Sequence, residues 1–223
     1  DADFGRLLDA VEEQGLADNT VILFTADNGM SMGQHGVWGK GNGTFPMNMY
    51  DSAVKVPFLI SWPGHIPANT VCSEMISACD LLPTILKLTG LSDKQPTGLP
   101  GRSFTELLKG EQREHRDEVV IFDEYGPVRM IRTKEWKYVH RYPYGKHELY
   151  HLVDDPGEEK NLYGLPEYKK LVTQLKGRME KWFCTYSDPA IDGVRSAVNG
   201  SGQLCRPGVY AIYEDPFAPK GVE

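Results

Sequence analysis

Val21-Ile22-Leu23-Phe24-Thr25-Ala26-Asp27-Asn28-Gly29 decides the reading of this chain. Five apolar or β-branched residues form a strand that reads as buried. It ends in a carboxylate, a side-chain amide and a glycine. In open α/β sheets, ligands sit beyond the carboxyl ends of strands, and Asp and Asn oxygens are hard donors suited to Ca²⁺ or Mg²⁺ rather than to zinc. Asp-Asn-Gly is equally a favoured turn sequence, so the triplet alone does not separate a metal site from a turn. The next residues favour the site: Gly33-Gln34-His35-Gly36 and Gly39-Lys40-Gly41 place a histidine and a lysine among glycines in a long loop over residues 27–50. Long ordered loops at strand ends are commonly functional.

Upstream of the strand, Phe4, Leu7, Leu8 and Val11 fall at helical spacing and Gly15 stops the helix. Downstream, Val56 to Trp62 reads as a second buried strand, ended by Pro63-Gly64. Asp80 is expected to cap a helix that runs to Leu88 with Gly90 as its stop. Ser103 and Glu106 form a capping-box pattern for a short helix to Leu108. After a charged connector, Glu111 to Glu118, the pattern changes to strands at Val119–Phe122, Val128–Arg132, Trp136–His140 and Glu148–Leu152, an antiparallel meander. Pro166 then opens a helix whose Tyr168, Leu171, Leu175, Met179 and Trp182 make one apolar face, able to cover that sheet. The expected fold is α/β. Residues 1–110 contribute to a larger mixed sheet sandwiched by helices, and residues 111–223 form a small antiparallel sheet with a covering helix and a tail.

The 24 basic and 31 acidic side chains give a formal charge of −7, with no Lys/Arg block or aromatic interleaving, so nucleic acid is not an expected partner. No apolar run approaches the ~20 residues that span a bilayer. Asp1 opens the chain in an amphipathic pattern, and the lack of a leader there says nothing about compartment. The four cysteines lack zinc-site spacing: Cys72 and Cys79 read as buried thiols, while Cys184 and Cys205 are candidates for a bridge if the protein is exported. Asn42-Gly43-Thr44 and Asn199-Gly200-Ser201 are glycosylation sequons; the first lies in the candidate site loop, which argues against its use.

With Tyr50-Asp51 through Val56-Pro57, Trp62-Pro63-Gly64, Asp80-Leu81-Leu82-Pro83-Thr84 and Glu148-Leu149-Tyr150 through Asn161-Leu162 coming in order, the chain resembles the carboxyl-terminal part of a type I sulfatase, in the alkaline phosphatase superfamily. The resemblance runs from Asp1 to about Phe183. It implies an alkaline phosphatase-like sheet and metal-assisted hydrolysis of sulfate esters. Asp27 and Asn28 would complete a Ca²⁺ or Mg²⁺ site. Lys40 would contact a sulfate oxygen, and His35 would either donate to the sulfate or leaving group or serve as a structural loop residue. Tyr50-Asp51 and Asp80 to Thr84 would be architectural. Asp154, Asp155 and Glu158 read as a solvated acidic turn rather than a second metal site.

Type I sulfatases use a formylglycine made from Cys or Ser in a pattern of Cys or Ser, any residue, Pro, any residue, Arg. Cys205-Arg206-Pro207-Gly208-Val209 and Ser187-Asp188-Pro189-Ala190-Ile191 both lack the arginine. The resemblance therefore implies that formylglycine and the remaining carboxylates are supplied upstream, by a missing amino-terminal part of the catalytic domain. An isolated chain would then be inactive and would self-associate. Two other functions stay open: a phosphodiester or phosphonate ester hydrolase of the same superfamily, and a truncated, inert binding or structural domain. The resemblance also favours an exported compartment.

Overall fold

The computed structural model describes residues 2–111, 114–123, 126–142 and 145–195. In chain order the elements are α1 (Ala2–Glu13), β1 (Ile22–Thr25), β2 (Ser31–Met32), β3 (Trp38–Gly39), α2 (Asp51–Val54), β4 (Phe58–Ser61), α3 (Leu81–Leu88), α4 (Thr105–Leu108), β5 (Val119–Phe122), β6 (Val128–Arg132), β7 (Trp136–Arg141), β8 (Glu148–His151) and α5 (Lys169–Tyr186). This is a mixed α/β arrangement with small antiparallel sheets and a long carboxyl-terminal helix. It forms two compact units, one holding Asp1–Asp27 and Val56–Arg116, the other Asn28–Lys55 and the chain from Asp117 onward. The loop after Asp27 thus belongs with the meander.

In the first unit Gly15 ends α1 in the left-handed region (φ 64°), where a residue without a Cβ carries no penalty. β1 pairs antiparallel with β4, Leu23 opposite Ile60 and Phe24 opposite Leu59. Neither strand is buried as the sequence reading expects: Phe24 is 45% and Leu59 63% exposed. Apolar runs mark strands covered on both faces, and the ribbon has one partner strand with α1 reaching it through an edge-on Phe4–Phe24 contact at 5.5 Å.

Asp80 does not cap α3 through its side chain. Ser77 caps the turn before it, accepting from the Cys79 N–H at 3.3 Å, while the Asp80 carboxylate accepts from the Ser77 N–H at 2.9 Å. That fully buried carboxylate also accepts from the Arg102 N–H at 2.7 Å and from Arg116 Nε at 2.6 Å, with His115 Nε2 at 3.3 Å. Burial pushes its pKa up, but the Arg116 hydrogen bonds and the two backbone donors outweigh burial and hold it below the usual carboxylate range. The Ser103–Glu106 pattern also resolves differently. Ser103 Oγ accepts from the Thr105 N–H at 3.4 Å, and Glu106 forms an ion pair with Lys87. Cys72 and Cys79 are exposed free thiols rather than buried ones, because the segments that carry them run along the surface.

In the second unit the meander has the order β5-β6-β7-β8, with Val120 opposite Ile131, Ile131 opposite Tyr138 and Tyr138 opposite Leu149. Those four residues face Leu162 and the α5 residues Leu175, Met179 and Phe183 in one core. Tyr168, Leu171 and Trp182 pack at its margin, so the apolar face read from the sequence is present, with Phe183 added to it. On the opposite side of the sheet Val128, Met130 and Val139 pack with Met49, Met47 and Val54. Alternation along β6 and β7 supplies both faces, and each is covered. Cys184 is exposed on α5; Cys205 and the sequon at Asn199 lie outside the described residues.

Candidate active site

Beyond β1, Asp27 is exposed and Asn28 is half-buried. Gly29 comes next because nothing larger fits: its N–H donates to the Ala53 carbonyl at 2.9 Å, and a Cβ there would run into the Ser52 carbonyl oxygen. Ser31, fully buried, shares a hydrogen bond of 2.7 Å with Ser52 Oγ. The start of the loop is thereby fastened to α2.

The loop is not wholly irregular. β2 and β3 make a short ribbon with Met32 opposite Trp38, closed by a Gly33 N–H to Val37 carbonyl hydrogen bond of 2.9 Å. His35 lies at its turn with φ 55°, a left-handed conformation that costs a non-glycine residue about 1 kcal/mol. Its exposed ring stacks on Tyr50, centroids 3.6 Å apart and planes 4° from parallel. Such a ring pair is worth about 1 kcal/mol beyond simple burial.

Lys40 leaves β3 with an exposed side chain and an extended backbone. Asn48, buried and absent from the sequence-based site, holds that backbone. Its Nδ2 donates to the Lys40 carbonyl at 3.2 Å and the Gly41 carbonyl at 3.1 Å, and its N–H donates to the Gly41 carbonyl at 3.0 Å. Gly39 has φ 136°, and a Cβ on Gly43 would come within 2.9 Å of Val37. The glycines around Lys40 thus permit a tight turn that holds one ammonium outward.

Tyr50-Asp51 is more than a helix start. Lys137, fully buried, donates from Nζ to the Met49 carbonyl at 2.9 Å and to the Asp51 carboxylate at 2.5 Å, and pairs with Glu158. Arg132 Nη2 reaches Asp51 at 3.2 Å. Burial raises the Asp51 pKa, but Lys137 and Arg132 together outweigh it and hold the carboxyl below the ordinary range. Glu158, whose Oε2 accepts from the Asp51 N–H at 2.5 Å, goes the other way: burial keeps its pKa raised despite Lys137. Glu158 is therefore a buried anchor and not part of a solvated turn. Asp154 bonds His151 at 2.8 Å, and the Asp155 carboxylate accepts from the Glu159 and Lys160 N–H groups. A sequence signal for Glu158 exists only in hindsight, in its position between the strand β8 and Asn161.

Among the described residues no group of three or more His, Cys, Asp or Glu side chains gathers as a metal site. Asp27 and Asn28 offer one anionic and one neutral oxygen, which suits a hard cation in donor type and leaves most of its six to eight ligands to come from elsewhere. The second unit brings His35 together with Tyr50 and Lys40 together with Asn48, while Asn28 opens the same unit.

Residues 33–184 match the family model described as N-sulphoglucosamine sulphohydrolase, C-terminal. The chain is 30% identical over 203 residues to an N-acetylglucosamine-6-O-sulfatase of Bacteroides thetaiotaomicron, covering 84% of this chain and 34% of that protein. It is 34% identical over 213 residues to human arylsulfatase A, covering 79% of this chain and 41% of that enzyme. A protein solved in complex with its substrate D-glucosamine-2-N,6-O-disulfate superposes with a TM-score of 0.72 at 30% identity, over 82% of this chain and 38% of the other. A phosphonate monoester hydrolase of Agrobacterium radiobacter gives 0.69 at 26% identity, over 91% and 42%. The chain spans well under half the length of these relatives. A family match across most of the chain, over the loop turns, the meander and its covering helix, means that the chain belongs to the sulfatase family.

Proposed function

We propose that this chain forms part of an enzyme that hydrolyses sulfate monoesters of a sulfated carbohydrate or aryl compound. Lys40 contacts a sulfate oxygen and stabilises charge on the transferring group, and His35 donates to the sulfate or to the leaving-group oxygen. Asp27 and Asn28 would hold Ca²⁺ or Mg²⁺, which would supply positive charge to stabilise the transferring sulfuryl group. In this reading the nucleophile, a formylglycine by family resemblance, and the remaining metal carboxylates lie in polypeptide beyond these residues. The chain alone is inactive, and β1 with β4 joins a larger mixed sheet. The exposed Phe24 and Leu59 would be covered there; without that cover, self-association is expected.

The observation that carries the reading is the Asn48-clamped Gly39-Lys40-Gly41 turn, which presents a lysine outward within a family of sulfatases. A second reading, hydrolysis of phosphonate or phosphodiester substrates, has the phosphonate monoester hydrolase likeness behind it. Full-length protein with verified formylglycine should be assayed against sulfate monoesters, phosphonate monoesters and phosphodiesters. The sulfate reading requires sulfate ester turnover to dominate; much faster phosphonate or phosphodiester turnover replaces it with the second.

A further inference from the structure

Two ring contacts and the fastening of its chain neighbours fix Tyr50. Its ring lies flat on the exposed His35 imidazole, 3.6 Å between centroids and 4° from parallel. The residues on both sides of it are gripped by one buried cation, since Lys137 Nζ holds the Met49 carbonyl at 2.9 Å and the Asp51 carboxylate at 2.5 Å. Behind it stands Tyr150 of β8, with ring centroids 6.5 Å apart. Tyr150 is 4% exposed and belongs to β8 of the meander. His35 itself sits at a two-strand turn with φ 55°.

We propose that Tyr50 is the positioning residue for His35: anchored to the meander through Lys137 and Tyr150, it sets the plane and direction of the imidazole in the Lys40 loop. The functional part rests on the sulfatase reading of His35; the stack does not. A flat aromatic support leaves both ring nitrogens at the imidazole edge for hydrogen bonding, while stopping rotation about the side-chain bonds. Lys137 then acts through Tyr50 and touches no substrate.

The first arm of the test is spectroscopic and uses the full-length protein. The imidazole carbon-bound protons of His35, identified by the signal lost in His35→Gln, should show a ring-current displacement that vanishes in Tyr50→Leu and persists in Tyr50→Phe. The signals of the other histidines should not move. An undisplaced His35 in the unsubstituted protein, or a displacement unchanged in Tyr50→Leu, overturns the stack and the proposal with it. The second arm uses the full-length enzyme. Tyr50→Leu should lower kcat roughly 10²-fold with little change in KM, Tyr50→Phe should restore most of it, and Tyr50→Leu with His35→Ala should be no worse than His35→Ala alone. Full kcat in Tyr50→Leu beside a crippled His35→Ala overturns the positioning alone. Full kcat in His35→Ala overturns the catalytic role of His35, and the positioning role with it.

Discussion

The Nζ of Lys137 lies 2.5 Å from the Asp51 carboxylate, on a side chain that no solvent reaches. A lysine is almost never fully buried unless paired, and here two carboxylates and a carbonyl surround it. Removing the cation would leave Glu158 and Asp51 desolvated. Lys137→Met should therefore destabilise the protein by about 3–5 kcal/mol in a urea titration. Adding Asp51→Asn and Glu158→Gln should recover part of that loss; no recovery would mean that packing, not charge, makes Lys137 matter.

Asp80 predicts a pH-dependent difference. Its pKa in the fold is depressed, so its contribution is fully present above the unfolded carboxylate value of about 3.9 and is lost as pH falls through the folded value. Asp80→Asn should be least stable relative to wild type near neutrality, and the gap should narrow below about pH 4. A gap independent of pH would remove the ionised Asp80–Arg116 pair from the account.

His140 also costs stability as pH falls, over a higher pH window. Burial first, then the neighbouring His147, lowers its pKa to about 3, and its Nδ1 shares a 2.7 Å hydrogen bond with the Tyr138 hydroxyl. Below the unfolded value of about 6.5 the unfolded chain takes up a proton that the folded one refuses, so stability falls from there down toward pH 3. His140→Phe should reduce that slope by up to one proton, or about 1.4 kcal/mol per pH unit. Stability measured by denaturant at several pH values would show it, and an unchanged slope would count against a neutral buried His140.

The proposed site makes separable demands on the full-length enzyme. Lys40→Ala should cut kcat by roughly two orders of magnitude with bound metal unchanged, as when one preorganised charge contact is lost. Asp27→Ala should lower metal content and activity together, and Asn28→Ala should lower occupancy less, since the anionic ligand compensates more charge. Metal analysis beside steady-state kinetics checks all three. Wild-type turnover in Lys40→Ala would remove the loop from the active site.

Met179, wholly buried under the meander, tests the core between the meander and α5. Met179→Ala should cost about 2–5 kcal/mol through lost transfer energy and the cavity left behind. A loss well under 1 kcal/mol would show that α5 does not seal the sheet.

The meander and its covering helix were legible because their signals are local. Short runs rich in β-branched and aromatic residues mark β5 to β8, and a 3.6-residue period marks Leu171, Leu175 and Met179, whatever lies far away in the chain. The Gly-flanked Lys40 turn was legible for the same reason: glycines at such close spacing report backbone demands of their own neighbourhood. Burial of β1 and β4 was not, because apolar composition states what a strand could bury and not what is present to cover it.

Sequence alone determined the order of the four meander strands and their covering helix, the sulfatase resemblance, and Asp27, Asn28, His35 and Lys40 as the candidate site residues; it read the β2–β3 ribbon as loop. Tertiary structure decided the partners. Glu158 meets the Asp51 N–H across 107 residues, Lys137 meets Asp51 across 86, and Arg116 meets Asp80 across 36. Local propensity acts over a few residues, whereas a buried charge takes whichever opposite charge the chain path delivers to it. Asp80 looked like a helix cap and Glu158 like a solvated turn because each has a plausible local use. Only the fold, by removing water from both, made a distant cation the necessary partner.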